Sequence, residues 1–322
     1  MKNLSTGERV RALIALGSAV VLWASAFIAI RAVVASAAYT PAQLSAARIM
    51  LASVLLGVLA LARGGVRLPA RADWPAFIAL GIMGQALYHL LLNTGERSVD
   101  GGTAALLVSC APMLASLLAV AFLGERMSRL GWVGTGIAFG GAATIALSAG
   151  ASLRGGTGVL MVVVATALWA GYLVLQKTVA GRYDALQITA WPMWIGAVFL
   201  LPFALSLPRA VATAPATATM AVVWLAAGAS VGGFLVWAYA IKRLDVVVAT
   251  SALYCVPVAA FVMGALFLDE SPSPAALLGG LVAIGGVALV QFKGRPSSET
   301  ADDAQPASDT AVVGPAEVPA EA

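Results

Sequence analysis

Charged residues are scarce in this chain. Asp, Glu, Lys and Arg make up 11% of its 322 residues while apolar ones reach 61%, where a soluble domain carries roughly a quarter charged residues. Cysteine is almost missing too. Only Cys110 and Cys255 occur, too few and too widely spaced for a disulfide framework or a metal site, so both read as small apolar packing residues. No G-x-x-x-x-G-K-[ST] stretch exists, which excludes an ATPase of the chain's own. No dinucleotide fingerprint opens at Gly134-Thr135-Gly136, because no strand precedes it. No cofactor and no metal are expected.

What remains is a succession of apolar runs close to the length that crosses a bilayer as a helix, about 20 residues. They do not alternate, which excludes a transmembrane β-barrel. Helices are expected at 12–34, 42–62, 74–94, 101–123, 130–148, 158–177, 186–206, 219–241, 247–268 and 275–292, separated by glycine and proline breakers. Residues 1–11 form a short basic start. Flanks of the first helix imitate a secretory signal with Ala35-Ser36-Ala37 as cleavage site, but Arg31 interrupts the run. Residues 294–322 form an acidic tail, of which 296–322 hold six acids and no base. Such a Pro, Ala, Ser and acid mixture builds no core and should be disordered.

One stretch occurs twice. Asp100 to Glu125, DGGTAALLVSCAPMLASLLAVAFLGE, lies over Asp245 to Glu270, DVVVATSALYCVPVAAFVMGALFLDE, at an offset of 145 with no gap. The offset superposes the two cysteines and the prolines Pro112 and Pro257, each expected to kink a helix. Downstream it superposes Gly134, Ala138 and Gly141 on Gly279, Ala283 and Gly286. Upstream, LWASAFIAIR (22–31) is echoed by LWAGYLVLQK (168–177). The chain therefore divides into repeats at 12–150 and 151–293. Five helices per repeat is an odd number, so the second must enter the membrane from the opposite face. The expected fold class is an all-α polytopic membrane protein, ten transmembrane helices as two inverted five-helix repeats, as in alternating-access transporters. Fourteen Lys and Arg fall on the side of the N-terminus and only Arg97, Arg154 and Arg209 on the other, which places both termini in the cytoplasm. Orientation in the membrane accounts for the basic body, and no nucleic-acid partner is needed.

The order Trp23-Ala24-Ser25, then Pro41 and Arg48 as P-x6-R, then a helix with a central proline ending in Gly124-Glu125 before a Gly-rich helix, resembles the EamA-type branch of the drug/metabolite transporter superfamily. The second copy departs from it: Asp269-Glu270 replaces Gly-Glu and no arginine faces Arg48. The resemblance implies a ten-helix inner-membrane carrier of a small metabolite or drug. The function expected is secondary transport, as efflux across the cytoplasmic membrane, with a small-molecule substrate and membrane lipid as partners.

Residues kept in both repeats serve the scaffold, whereas polar residues in one repeat only are candidates for substrate recognition. Arg48, His89 and Asn93 fall opposite Met193, Phe234 and Ala238 at the 145 offset. An arginine inside a membrane helix costs roughly 2–3 kcal/mol unless it snorkels or finds a partner. Snorkelling explains Arg31, nearer its helix end, and competes with binding for Arg48. His89 has packing as its plain explanation. Trp23, Trp169, Tyr172, Trp237, Tyr239 and Tyr254 are candidates to line a cavity, Trp23 and Trp169 foremost because they lie mid-helix, and Tyr88 joins them as a wall, with interfacial anchoring as the rival role for Trp and Tyr. The substrate-binding set is thus Arg48, His89, Asn93, Tyr88, Trp23 and Trp169. Carboxylates are expected only at helix ends, among them Asp100, Glu125, Asp245, Asp269 and Glu270, leaving His89 as the mid-membrane group that titrates near neutrality. The faces Gly136–Gly140 and Gly279–Ala283 are expected to pack helices closely. Two rival functions stand beside transport. One is a membrane enzyme using Ser230, from Gly228-Ala229-Ser230-Val231-Gly232, with His89. Against it, that motif works only at a strand-to-helix turn. The other is a scaffold that transports nothing.

Overall fold

The protein is described by a computed structural model covering residues 6–123, 127–148, 156–180, 182–241, 243, 252–253, 255–269 and 273–293. The described residues contain helices and no strand. Helix α1 spans Thr6–Ala35, α2 Pro41–Ala62, α3 Arg71–Gly95, and α4 Gly101–Val108 with Ala111–Leu123. Then follow α5 (Arg129–Ser148), α6 (Thr157–Ala180), α7 (Ala185–Ala204) and, after a short helix at Leu207–Thr213, α8. Helix α8 runs Ala216–Trp224, Leu225–Gly232 and Gly233–Ile241. Helices α9 (Cys255–Leu268) and α10 (Pro274–Lys293) close the chain. Among the described residues, seven helices, α1 to α4 and α6 to α8, are long and apolar enough to cross a membrane, and α9 and α10 add shorter apolar segments. Leu61, Phe122 and Leu266 point outward on this bundle, as lipid-facing residues do. Glu125, Asp245, Tyr254, Glu270 and the tail 294–322 lie outside the described residues.

Helices α2 and α7 begin with the same device. The Gln43 N–H donates to Thr40 Oγ1 while the Thr40 N–H donates to Gln43 Oε1, and Asp184 with Gln187 repeats the exchange. Each such capping box satisfies two of the helix's orphan donors. The boxes are 144 residues apart, so here Pro192 rather than Met193 stands opposite Arg48; the partner remains uncharged.

Pro112 does not kink a continuous helix. Helix α4 breaks at Ser109–Cys110, and Pro112 occupies the first turn of the second piece, where its missing N–H costs nothing. Pro257 sits likewise in the first turn of α9. Of the two cysteines, Cys110 is buried and Cys255 exposed, so the packing expectation holds for the first alone.

Two π-helical segments, Gly81–Leu87 in α3 and Leu225–Gly232 in α8, fall at matching places in the two repeats. Such segments are rare and gather at functional sites. Each meets the other repeat. A Cβ on Gly84 would lie 2.7 Å from Cε2 of Tyr172 in α6, and one on Gly233, just past the α8 segment, 2.6 Å from Nε1 of Trp23 in α1. Glycine at these two positions leaves the space the rings fill.

Helices α5 and α10 pair backbone to backbone within the chain. A Cβ at Gly141 would approach the Gly279 carbonyl oxygen to 2.6 Å, and one at Gly286 the Gly134 carbonyl oxygen to the same distance. The contact face is Gly134, Ala138 and Gly141 against Gly279, Ala283 and Gly286. Gly136 and Gly140 point away from it into open space, which corrects the expected Gly136–Gly140 face.

Candidate functional site

A cavity of about 330 Å³ lies between the repeats. Trp23 of α1, Arg48 of α2, Tyr88 and His89 of α3, and Trp169 of α6 all line it, joined by Tyr172, Phe234 and Trp237. Its walls form a chain of rings. Trp169 stacks on Tyr172 with centroids 4.7 Å apart and planes at 9°, and Tyr88 meets Trp169 at 5.0 Å. Trp23 meets Phe234 at 5.6 Å and Trp237 at 5.4 Å. Such rings give an apolar surface with electron-rich faces that favour apolar groups and cations.

Arg48 stands seven residues into α2, roughly 10 Å of helix. It is 5% exposed, so it does not snorkel. Its Nε–H donates to Ser230 Oγ at 2.9 Å. Ser230 lies on the π segment of α8, and so does Ala229, whose carbonyl accepts Trp23 Nε1–H at 3.1 Å. One segment of the second repeat thus fixes two side chains of the first. The Nη groups of Arg48 make no hydrogen bond among the described residues, and the side chain borders the cavity. A planar fork held at its stem is suited to a carboxylate.

His89, 3% exposed, points Nδ1 at the Gln85 carbonyl, 3.0 Å away. A carbonyl only accepts, so Nδ1 carries the proton and Nε2 is left as an acceptor. Asn93 departs from the expected set. It is fully buried behind the cavity wall, donating from Nδ2 to Ser45 Oγ at 2.8 Å, and it does not border the cavity.

Glu96 is the residue that sequence reasoning missed. It follows α3 in a turn of polar residues that reads as an exposed loop, yet its exposure is 0%. Its charge acts on both Arg48 and Tyr88. Arg31 reaches the same turn, donating from Nη1 to the carbonyls of Glu96 (2.8 Å) and Arg97 (3.2 Å) instead of snorkelling.

The cavity extends from Ile30 and Leu92 toward Gln176, Tyr183 and Ala185. Tyrosines fasten the repeats together at both ends of the bundle. Tyr39 shares a hydrogen bond of 2.9 Å with Thr219, and Gln43 Nε2 donates to Ser206 Oγ at 3.0 Å. At the other end the Tyr183 hydroxyl donates to Asp73 Oδ2 at 2.7 Å, and Arg182 pairs with Asp73 Oδ1 at 2.6 Å. Accepting the bond, Asp73 pushes the Tyr183 hydroxyl above its usual range. Tyr39 and Tyr183 each stand one residue before a helix cap, so the fastenings are equivalents in the two repeats.

Comparison with known proteins adds the following. The EamA-like transporter family matches residues 10–147 and again 156–292. A protein of Streptantibioticus cattleyicolor named "Probable terminal-alkyne amino-acid exporter" is 42% identical over 282 residues, covering 87% of this chain and 93% of the relative. "Uncharacterized transporter YdfC" of Bacillus subtilis is 34% identical, covering 84% and 88%. A solved crystal structure shares the fold at a TM-score of 0.56 and 23% identity, covering 87% of this chain and 96% of the other.

Proposed function

The chain belongs to the EamA-like transporter family, and from that premise we propose that it exports a small, largely apolar carboxylate, such as an amino acid with a short apolar side chain. It does so by alternating access of two inverted five-helix repeats in the cytoplasmic membrane. The observation that carries this reading is Arg48. Its stem is held by Ser230 and its fork is turned to a cavity otherwise walled by aromatic rings. The name of the Streptantibioticus cattleyicolor relative supports an amino-acid substrate. A volume of about 330 Å³ falls at the small end of ligand pockets, which run from roughly 300 Å³.

Arg63, Arg67, Arg71 and Arg182 gather at the Tyr183 end of the bundle, which supports a cytoplasmic placement of that end. Tyr183 borders the cavity and Tyr39 does not, which supports loading from the cytoplasm. An enzyme reading finds less support. The Ser230 hydroxyl is engaged by Arg48, and His89 Nδ1 faces a backbone carbonyl.

The test is efflux from cells preloaded with L-propargylglycine, a terminal-alkyne amino acid. Arg48→Lys keeps the charge and loses the fork, so efflux should fall about tenfold or more at unchanged membrane abundance, the loss of one good charge-assisted bond. Parental efflux by Arg48→Lys would remove Arg48 from the site.

A further inference from the structure

The export reading uses Arg48 and leaves His89, which borders the same cavity, without a role. Resting on the proposal that Arg48 binds a carboxylate, we propose that His89 Nε2 accepts the substrate's ammonium group. His89 is then the residue that makes the site specific for α-amino acids over plain carboxylates.

The helix contacts put the two side chains at one level. Helix α2 leaves the Tyr39 end, and α3 starts at the Tyr183 end, where the Ala70 N–H donates to the Tyr183 hydroxyl. The two helices therefore run antiparallel. They are joined where Asn93 Nδ2 donates to Ser45 Oγ at 2.8 Å. Arg48 stands three residues beyond Ser45 on α2, and His89 four residues before Asn93 on α3. Residues three and four apart share a helix face. The steps are about 4.5 Å and about 6 Å of rise in the same direction, toward the Tyr183 end. Both side chains border the cavity, so a carboxylate on the Arg48 fork sits beside His89. An α-amino acid carries its carboxylate and its ammonium on one carbon, which suits two receptors side by side.

The ring offers an atom of the right kind. Nδ1 lies 3.0 Å from the Gln85 carbonyl and carries the proton, so Nε2 presents a lone pair. No hydrogen bond to Nε2 is formed among the described residues. An ammonium is a donor only, and its charge-assisted bond to that lone pair is stronger than one from a hydroxyl. None of the described residues bordering the cavity is Asp or Glu, so the rest of the cation falls to aromatic faces. Tyr88 supplies one, its ring 5.0 Å from the His89 ring and 5.0 Å from that of Trp169. A cation within about 6 Å of such a face is attracted by the ring quadrupole. The substrate's apolar side chain is left to the rings of Trp23 and Phe234.

The chain has one histidine, so a nitrogen isotope label on histidine reports this ring alone by NMR. In the purified wild type, L-propargylglycine should shift the Nε2 resonance as engagement of an acceptor does. Pent-4-ynoate, which lacks the amine, should leave it in place. Tryptophan fluorescence should show L-propargylglycine binding about tenfold or more tighter than pent-4-ynoate, the worth of one charge-assisted bond. His89→Phe introduces the residue that Phe234 provides opposite it in the second repeat, and it should abolish that preference. His89→Gln, whose amide oxygen accepts, should retain most of it. Equal affinity of the two ligands in the wild type, an Nε2 resonance unmoved by L-propargylglycine, or full preference in His89→Phe would each overturn the inference while leaving Arg48 as the carboxylate site. Binding of neither ligand, or binding of both that ignores Arg48→Lys, would overturn the carboxylate reading as well.

Discussion

Arg48 and Ser230 show how one residue depends on another across the repeats. A guanidinium in an apolar cavity has many low-cost rotamers, and the bond from Nε to Ser230 Oγ selects one of them. Ser230→Ala removes an acceptor from a charged donor, a change worth about 1.5–3 kcal/mol. If Ser230 positions Arg48, the apparent KM for carboxylate export should rise tenfold or more with abundance unchanged, and Ser230→Thr, which keeps the oxygen, should restore most of it. An equal defect in Ala and Thr variants would mean that Ser230 serves packing alone. Sequence reasoning found Ser230 only as a stray G-x-S-x-G motif, since its partner lies 182 residues away. It found Arg48, His89, Tyr88, Trp23 and Trp169 because each is polar or aromatic where neighbours are aliphatic. It placed Asn93 with them for the same reason, and one more helical turn along α3 carries that side chain out of the cavity and onto Ser45. Glu96 escaped because burial of a polar turn depends on what packs over it, here Arg31 and the start of α6.

Helices were far more legible than side-chain roles. Long apolar runs mark their own ends, and α2, α5 and α7 start within a residue of the expected positions. The π segments were not legible, because one extra residue per turn leaves apolar composition unchanged. The glycine face was half legible. The offset of 145 paired Gly134 and Gly141 with Gly279 and Gly286 correctly, while the G-x-x-x-G spacing alone pointed to Gly136 and Gly140, which look outward. The two faces make a direct test. A methyl at Gly141 meets the Ala283 backbone, which has no rotamer to yield, whereas one at Gly140 meets nothing. Gly141→Ala should destabilise the folded protein by about 1–3 kcal/mol, the usual cost of overpacking, seen as a lower melting temperature in detergent. Gly140→Ala should leave it unchanged. Equal melting of the two variants would mean that α5 and α10 separate freely.

At the scale of the whole molecule, the pairing of tyrosines at opposite ends is what an inverted repeat should produce. Each repeat contributes the same turn before the same helix, and in the inverted arrangement proposed above one copy would lie at each membrane face. An alternating-access cycle needs one fastening to open while the other holds. Tyr183 borders the cavity, whereas Tyr39 is buried at the far end and does not. The Tyr183 end is therefore the side from which the cavity should be reached. Thr189, which lines the cavity near that end, is a position for a single cysteine in a background with Cys110 and Cys255 replaced. In inside-out vesicles a charged, membrane-impermeant maleimide should modify Thr189→Cys readily, and in intact cells it should do so at least tenfold more slowly. Adding Tyr39→Phe removes the hydroxyl that bonds Thr219. A lost hydrogen bond of about 1 kcal/mol shifts a two-state equilibrium severalfold. Labelling of Thr189→Cys from outside should rise by that factor, while Tyr183→Phe, which loosens the opposite fastening, should lower it. Faster labelling in intact cells than in inside-out vesicles would reverse the orientation and make the Tyr183 end extracellular. Labelling that ignored both tyrosines would leave them as packing residues without a gating role.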